Sequence, residues 1–399
     1  MGLTSTVMLV LAAVLSVAAP LIALLLWNRL PGPRFVRAGQ RVSLLISGQA
    51  CAVLFAFLAV NDQYLFFTSW PDLLGTQSSL PPIVAVGGQH LLGPSGGVTI
   101  DRESSQIATD GGQLIAERVH GDRSGVTATV LVHLPPGYAT SNRRYPVLEL
   151  LPGWRGVPAS WLRNFHVLQA MAAVHRQGAL ADVITIMPTL NVAAPRDVEC
   201  TDVPHGSQAE TWLTTDVRDL ALSRYRALPS STSWAVMGYS TGGYCAAKIV
   251  LQHPKWYGTA VSLAGYFDAI KDNTTGDLWG GSALRRNENS PLWLVQHRPI
   301  PAVNILAFSS KEDPESYAST AAFLVLARPP LQVFSLIVPA GGHNLKAISR
   351  NLPQVLAWIG GHLTSSQRPA TLSSGTGSRT ALAVNPTGRR VRGVTRPAG

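Results

Sequence analysis

The sequence predicts an α/β fold, in which a mostly parallel, doubly wound sheet follows two membrane-spanning helices. Short apolar runs alternate with helix-forming stretches from residue 114 to residue 363, a pattern typical of a parallel sheet covered by helices. One of the strand-to-helix junctions carries a serine between glycines. The chain also begins with two uncharged apolar runs, each about long enough for a helix to cross a membrane.

Residues 1–62 are predicted to form a two-helix membrane anchor. The runs at 7–27 and 42–60 lack charged residues, and a helix needs roughly 20 residues to cross the bilayer. The loop between them carries four arginines and no acid, which by the positive-inside rule makes it cytoplasmic and the rest of the chain extracytoplasmic. These are Arg29, Arg34, Arg37 and Arg41. The alternatives are a cleaved signal peptide, which ordinarily has Lys or Arg before its apolar run, and a buried hairpin of a soluble domain.

The excess positive charge lies near the two ends of the chain. The sequence has 32 basic and 22 acidic residues, a formal net charge of +10, and only 14% charged residues. The four arginines near the N-terminus and six arginines after residue 365 together equal this excess, which leaves the middle of the chain formally neutral. We therefore expect no nucleic-acid-binding face on the folded domain.

The remaining residues divide into a linker, a folded domain and a tail. Residues 63–97 are predicted to form a linker and residues 365–399 a disordered basic tail, because both segments are rich in small and polar residues. Residues 98–364 are predicted to form the α/β domain, which opens with two antiparallel strands. The predicted strands cover 114–119, 126–134, 146–151, 183–187, 234–237, 259–264, 303–308 and 332–338. The predicted helices cover 161–176, 210–225, 243–253, 316–327 and 345–363.

The junction at residues 234–243 predicts the nucleophile. The apolar run 234–237 predicts a buried strand, residues 238–242 fit G-x-S-x-G, and a small-residue helix follows. This order is the nucleophile elbow of the α/β-hydrolase fold, in which a strained turn lifts the serine hydroxyl above the sheet. Ser240 is therefore the predicted nucleophile, and the alternative is a tight turn with an incidental serine.

The other members of a catalytic set follow from their order in the chain. A serine hydroxyl is a poor nucleophile until a base takes its proton, and in this fold the acid and then the histidine follow the serine. His343 lies in a glycine-containing loop after the last predicted strand and is the predicted base. Asp313 is the favoured acid because Pro314 can begin the next helix and hold Asp313 at its cap. The adjacent Glu312 is the alternative acid.

Two backbone N–H groups are predicted to form the oxyanion hole. In this fold one donor is the residue after the nucleophile, here Thr241. The second donor comes from the loop after the strand at 146–151, where Trp154 is the predicted residue and Gly153 leaves room for substrate.

Cysteine and histidine spacing bears on cofactors and on the cell compartment. Cys200 and Cys245 pair if the domain is extracytoplasmic, and two free thiols are the alternative. Cys51 lies in an apolar run. The sequence has neither a C-x-x-C motif nor a His-rich cluster, so we predict no metal site and no cofactor.

Three stretches resemble the esterase-D and mycolyltransferase-like branch of the α/β-hydrolases, which also contains enterochelin esterases. They are residues 151–155, 210–216 and 238–254, within a likeness that extends roughly over 114–363. The resemblance implies an acyl-enzyme at Ser240 that is attacked by water or by a sugar hydroxyl. Mycolyltransferases carry an Asp that helps to hold trehalose where this chain has Pro152. The secreted enzymes also lack the two N-terminal membrane helices.

The sequence thus predicts a membrane-anchored, extracytoplasmic serine esterase or acyltransferase. The expected substrates are small-molecule or lipid esters, with cell-envelope lipids and glycolipids as candidates and an acyl group other than aminoacyl. The alternative is a catalytically inactive hydrolase-fold protein that binds envelope glycan or a protein partner. The acyl chain, the acceptor and the oligomeric state stay open. Four tryptophans could line an acyl groove or pack in the core: Trp154, Trp161, Trp212 and Trp279.

Overall fold

The computed structural model describes residues 5–64, 70, 98–108 and 110–365. The predicted linker at 63–97 and the predicted disordered tail at 365–399 therefore lie almost wholly outside the described residues. Two long helices come first, α1 (Thr6–Leu26) and α2 (Arg34–Tyr64). Both are long and apolar enough to cross a membrane, and few of their side chains are buried.

The connection between the two helices is shorter than predicted. Helix α2 begins at Arg34, so of the four arginines only Arg29 lies in the connection. Pro33 accepts the hydrogen bond of Arg37 N at 3.1 Å, and arginine is a good helix former, so the helix extends through this basic stretch. The Arg41 guanidinium donates to the carbonyl of Trp27 at 3.0 and 3.2 Å, which satisfies an end carbonyl of α1.

The following residues form a sheet with the predicted, mostly parallel architecture. Its nine strands, among the residues described, follow the order β1-β2-β3-β5-β4-β6-β7-β8-β9. Strands β1, β2 and β3 are antiparallel, and β3 also pairs antiparallel with β5. The pairs from β5 through β4 to β9 are all parallel. The carboxyl ends of these parallel strands therefore share one edge, which we call the carboxyl edge.

The bounds of the strands are β1 (Val98–Ile107), β2 (Gln113–Gly121), β3 (Thr127–Leu134), β4 (Val147–Leu151), β5 (Ile184–Pro188), β6 (Trp234–Tyr239), β7 (Thr259–Leu263), β8 (Asn304–Ser310) and β9 (Gln332–Val338). The helices of the domain are α3 (Ser160–Arg163), α4 (Val167–Arg176), α5 (Ala209–Thr211 and Val217–Arg224, joined by a π-helical turn at Trp212–Asp216), α6 (Thr241–Gln252), α7 (Ala283–Glu288), α8 (Pro291–His297), α9 (Pro314–Leu326) and α10 (Leu345–His362).

Several elements differ from the prediction. Strand β1 was not predicted, because its sequence is mostly polar and lacks a clear apolar alternation. The predicted helix at 161–176 is interrupted, since His166 has a φ of 48° and separates α3 from α4. Helices α7 and α8 were missed as well, although Ser282 and Ser290 cap their N-termini and supply the usual signal for a helix start.

Apolar side chains pack against both faces of the sheet and bury it. Trp161 and Trp212 are fully buried and Trp279 is 3% exposed, so these tryptophans belong to the core. The Trp212 indole also donates to the carbonyl of Thr189 at 3.0 Å. Of the four tryptophans considered for an acyl groove, only Trp154 is partly exposed.

One buried carboxyl on β4 gives a pH-dependent prediction. The Glu149 side chain is fully buried and accepts a hydrogen bond from the Tyr257 hydroxyl at 2.8 Å. Burial raises the pKa of Glu149 from 4.5 to about 8, although Tyr257 and Arg218 favour the charged form. The folded protein therefore keeps a proton that the unfolded chain loses near pH 4.5, so stability from this group falls as the pH rises toward 8.

We expect Glu149→Gln to raise the Tm above about pH 8 and to leave it nearly unchanged below about pH 4.5. Glutamine keeps an oxygen acceptor for Tyr257 but cannot ionise. Thermal unfolding of the full chain over this pH range measures the difference. The same change in Tm at both ends of the range would contradict this account of Glu149.

Candidate active site

The turn between β6 and α6 holds Ser240 in a strained conformation. Its φ of 54° and ψ of −124° lie in a region that non-glycine residues rarely adopt. Two glycines allow the chain to fold back this closely. A Cβ atom on Gly238 would lie 2.1 Å from the Gly242 carbonyl oxygen, and one on Gly242 would lie 2.4 Å from the Leu151 carbonyl oxygen. The G-x-S-x-G pattern thus follows from steric contacts within the turn and with β4.

Ser240, His343 and Asp313 come together at the carboxyl edge. His343 Nε2 lies 3.1 Å from Ser240 Oγ, and His343 Nδ1 lies 2.7 Å from Asp313 Oδ2. Strand β8 delivers Asp313, and the loop between β9 and α10 delivers His343. The His343 side chain is 43% exposed whereas that of Asp313 is 8% exposed, so the site opens to solvent on the histidine side.

The two neighbouring carboxylates at the end of β8 have different partners. Asp313 is the N-cap of α9, because its side chain accepts from Ser316 N, and this leaves Oδ2 directed at His343. Glu312 accepts from the backbone N–H of Gly341 at 2.8 Å instead. Of the two carboxylates considered for the acid, Asp313 is the one that contacts His343. Glu312 instead binds the backbone of the loop that carries His343.

The predicted oxyanion donors belong to Thr241, which follows Ser240 in the chain, and to the loop after β4. Thr241 is the first residue of α6 and is 4% exposed. The loop after β4 lies against the serine, since a Cβ atom on Gly153 would be 3.2 Å from Ser240 Cβ. Trp154 follows in this loop. The N-terminus of a helix favours developing negative charge, which agrees with an oxyanion near Thr241; the donor roles of Thr241 and Trp154 stay a prediction.

A cleft of about 440 Å³ begins at this loop. It is lined by Trp154, Arg155, Pro195, Arg196 and residues 273–276. The Arg155 guanidinium stacks over the Trp154 ring at 4.3 Å, and Arg196 donates to the carbonyls of Thr275 and Asp277, each at 2.7 Å. The cleft therefore places aromatic and cationic side chains beside the loop that lies against Ser240.

The chain matches a known protein family over the residues that build most of this site. The match is to the Putative esterase family and covers residues 123–327, about half of the chain. The chain belongs to this family. A protein of Corynebacterium glutamicum, described only as uncharacterized, is 25% identical over an alignment of 297 positions that covers 68% of each chain.

Two solved structures share the fold of this esterase. A ferulic acid esterase has a TM-score of 0.54 at 17% identity, covering 67% of this chain and 99% of its own. An S-formylglutathione hydrolase from Agrobacterium tumefaciens has a TM-score of 0.56 at 15% identity, covering 66% and 99%. These similarities show the α/β-hydrolase fold, and the family supports an enzyme that hydrolyses carboxylic esters of small molecules.

Behind the serine, the esterase has a buried polar network that the sequence did not reveal. Thr241 Oγ1 donates to Asp197 Oδ2 at 3.0 Å, and the Tyr266 hydroxyl donates to Glu199 Oε1 at 2.6 Å. Burial raises the pKa of Asp197 above its usual value and that of Glu199 to about 8. Residues 195–200 have no periodic pattern in the sequence. The possible pairing of Cys200 with Cys245 was the one signal that this segment contacts α6.

Cys200 and Cys245 form a disulfide with a Cα–Cα distance of 6.0 Å, the first of the two alternatives for these cysteines. The bond joins the loop that carries Asp197 and Glu199 to α6. Lys248 lies one turn further along α6, fully buried, with Nζ 2.8 Å from the Cys200 carbonyl oxygen and 3.2 Å from Glu210 Oε2. The helix behind the serine is therefore held by covalent, ionic and hydrogen-bonding contacts.

Among the described residues, no group of three or more His, Cys, Asp and Glu side chains could hold a metal ion.

Proposed function

We propose that this chain is a membrane-anchored serine esterase whose α/β domain, residues 98–364, acts outside the cytoplasmic membrane through an acyl-enzyme at Ser240. The observation that carries the proposal is the continuous contact from Ser240 Oγ through the His343 ring to Asp313 Oδ2, with distances of 3.1 and 2.7 Å. The strained backbone of Ser240 supports it further, because such strain gathers at functional sites.

In the acylation step, Ser240 Oγ attacks the carbonyl carbon of the ester while His343 Nε2 accepts the hydroxyl proton. Asp313 holds the ring by its Nδ1–H and stabilises the imidazolium that forms. The backbone N–H groups of Thr241 and Trp154 stabilise the oxyanion. When the intermediate collapses, His343 gives its proton to the departing alcohol oxygen, and the acyl group stays on Ser240.

In the second step a hydroxyl group attacks the carbonyl carbon of the acyl-enzyme while His343 takes its proton. The bond between the acyl carbon and Ser240 Oγ then breaks, and His343 returns the proton to Ser240 Oγ. If the attacking molecule is water, the products are the acid and free Ser240. If it is an alcohol, the product is a new ester, and the enzyme acts as an acyltransferase. The cleft beside Trp154 is the candidate site for such an acceptor, since it has a volume of about 440 Å³ and begins at the loop that lies against Ser240.

The proposed location rests on three features of the chain. The two apolar helices are long enough to span a membrane, and arginines lie at the start of α2 and in the connection before it, which suits a cytoplasmic position. The Cys200–Cys245 disulfide supports an oxidising, extracytoplasmic compartment for the domain after α2. Cell-envelope lipids or glycolipids are the proposed esters.

Hydrolysis and acyl transfer can be separated with the same purified chain. We expect p-nitrophenyl esters to release p-nitrophenol in water alone, which measures formation and hydrolysis of the acyl-enzyme. Addition of a sugar acceptor then gives an acylated sugar if the enzyme transfers. Acid as the sole acyl product at every acceptor concentration would rule out transfer to that sugar, and no p-nitrophenol from any ester would contradict the esterase proposal.

The acid of the catalytic set is tested by a matched pair of substitutions. We expect Asp313→Asn to lower kcat by about 10⁴-fold, because the ring is then held in the wrong tautomer. Glu312→Gln keeps an oxygen that can accept from Gly341 N and should reduce kcat far less. Steady-state kinetics on one soluble ester measure both, and a larger loss in Glu312→Gln than in Asp313→Asn would reverse the assignment.

A further inference from the structure

The end of α2 contacts the residues that directly follow His343. Asn344 Nδ2 donates to the backbone carbonyl of Asp62 at 3.3 Å, and Lys346 Nζ lies 3.3 Å from Asp62 Oδ1. Asn344 is also the N-cap of α10, because its side chain accepts from Lys346 N at 2.7 Å. The second long helix thus ends against the loop that carries the proposed general base.

The length of α2 indicates where Asp62 lies relative to a bilayer. Its uncharged stretch runs from residue 42 to residue 60, which at about 1.5 Å per residue gives about 30 Å, the thickness of the hydrocarbon layer. Arg41 precedes this stretch, and Asn61 and Asp62 follow it. Given the membrane anchoring proposed above, Asp62 lies at the outer boundary of the hydrocarbon, and so do its contacts on α10.

The loop after β4 presents residues suited to the same boundary. It lies at the carboxyl edge, beside Ser240, and contains the partly exposed Trp154, the exposed Arg155 and Val157, whose exposed fraction is 51%. An indole, a cation with an aliphatic stem and an exposed apolar side chain are typical of the membrane–water interface. Helix α9 begins at the carboxyl edge and runs back to the start of the parallel strand β9, so its end lies toward the opposite edge of the sheet. Val325, near that end, is an exposed valine like Val157, with an exposed fraction of 85%.

We infer that the mouth of the active site faces the outer leaflet and that the enzyme takes its ester directly from the bilayer. The substrate class is an amphiphile whose acyl chain resides in the membrane, with its ester carbonyl at the depth of Ser240. This inference rests on the proposed function, because it uses the same serine and the same anchor. A soluble ester can still reach Ser240, but a membrane amphiphile is the ester that this orientation favours.

The two exposed valines provide a matched test of orientation in the full-length chain. Val157→Cys and Val325→Cys are made separately in a Cys51→Ser background, so that the label has one free thiol and the disulfide stays intact. Each variant is labelled with a small fluorophore and placed in phosphatidylcholine vesicles that contain doxyl-labelled lipid. We expect the label at Val157 to be quenched severalfold more than the label at Val325.

Equal quenching at the two positions, stronger quenching at Val325 or quenching at neither would overturn the inferred orientation. Fluorophosphonate labelling of the Cys51→Ser chain in the same vesicles, without a fluorophore beside Ser240, keeps this result separate from the proposed function. Labelling at Ser240 without the difference in quenching would refute the orientation and leave the esterase proposal intact. The difference in quenching without labelling at Ser240 would refute the esterase proposal and leave the membrane-facing orientation intact.

Discussion

Replacing Ser240 by alanine is expected to lower kcat for ester hydrolysis by about 10⁶-fold, because loss of the nucleophile removes the covalent route. The remaining groups could still bind the ester and polarise its carbonyl through the N–H groups of Thr241 and Trp154. The loss should therefore appear in kcat, while KM changes much less. Initial rates over a range of p-nitrophenyl ester concentrations measure both quantities.

The fold of the Ser240→Ala variant can be checked independently of its activity. Alanine removes one oxygen at a partly exposed position, so the Tm should stay close to that of the native chain. Ser282→Ala is a suitable control, since Ser282 caps α7, and the substitution should cost about 1 kcal/mol of stability without loss of activity. A Ser240→Ala variant that keeps a tenth or more of the native kcat would contradict the proposed mechanism.

The second large effect is expected at the glycine that begins the turn. In Gly238→Ala the new Cβ would lie 2.1 and 2.2 Å from the carbonyl oxygen and carbon of Gly242, both of which are backbone atoms. The turn must open to relieve this contact, which moves Ser240 away from His343. Overpacking of this kind typically costs about 1–3 kcal/mol, so we expect both the Tm and kcat to fall.

A glycine with open space around it provides the control. A Cβ atom on Gly361, near the end of α10, meets nothing within 4 Å. Gly361→Ala should therefore be neutral or should stabilise the helix by about 0.5–1 kcal/mol. If Gly238→Ala has the same Tm and kcat as Gly361→Ala, the proposal that the close contact with Gly242 requires glycine at residue 238 is wrong.

The sequence predicted the elbow, the histidine and the acid because each is a local pattern with a fixed place in the chain. G-x-S-x-G follows from contacts that the turn makes with itself and with β4, and Pro314 places Asp313 at a helix cap. The sequence alone could not decide between Asp313 and Glu312, because the decision depends on which of them contacts His343 in the structure. Glu312 meets Gly341 from a loop that is distant in sequence, so no local pattern could reveal that contact.

The features that the sequence missed depend on contacts between distant segments. Asp197 meets Thr241, and Asp62 meets Lys346, although many residues separate the members of each pair. No motif marks either pair. Strand β1 was missed for a related reason, because its polar sequence becomes a strand by pairing with β2.

The most direct test of the central claim is mass spectrometry of the full chain after reaction with a fluorophosphonate ester, followed by digestion to find the modified residue. We predict one adduct per chain, located on Ser240, and a much slower reaction in His343→Ala, in which no base activates the hydroxyl. An adduct on another residue, or an unmodified chain under conditions in which the protein is folded, would contradict the proposal that Ser240 forms an acyl-enzyme.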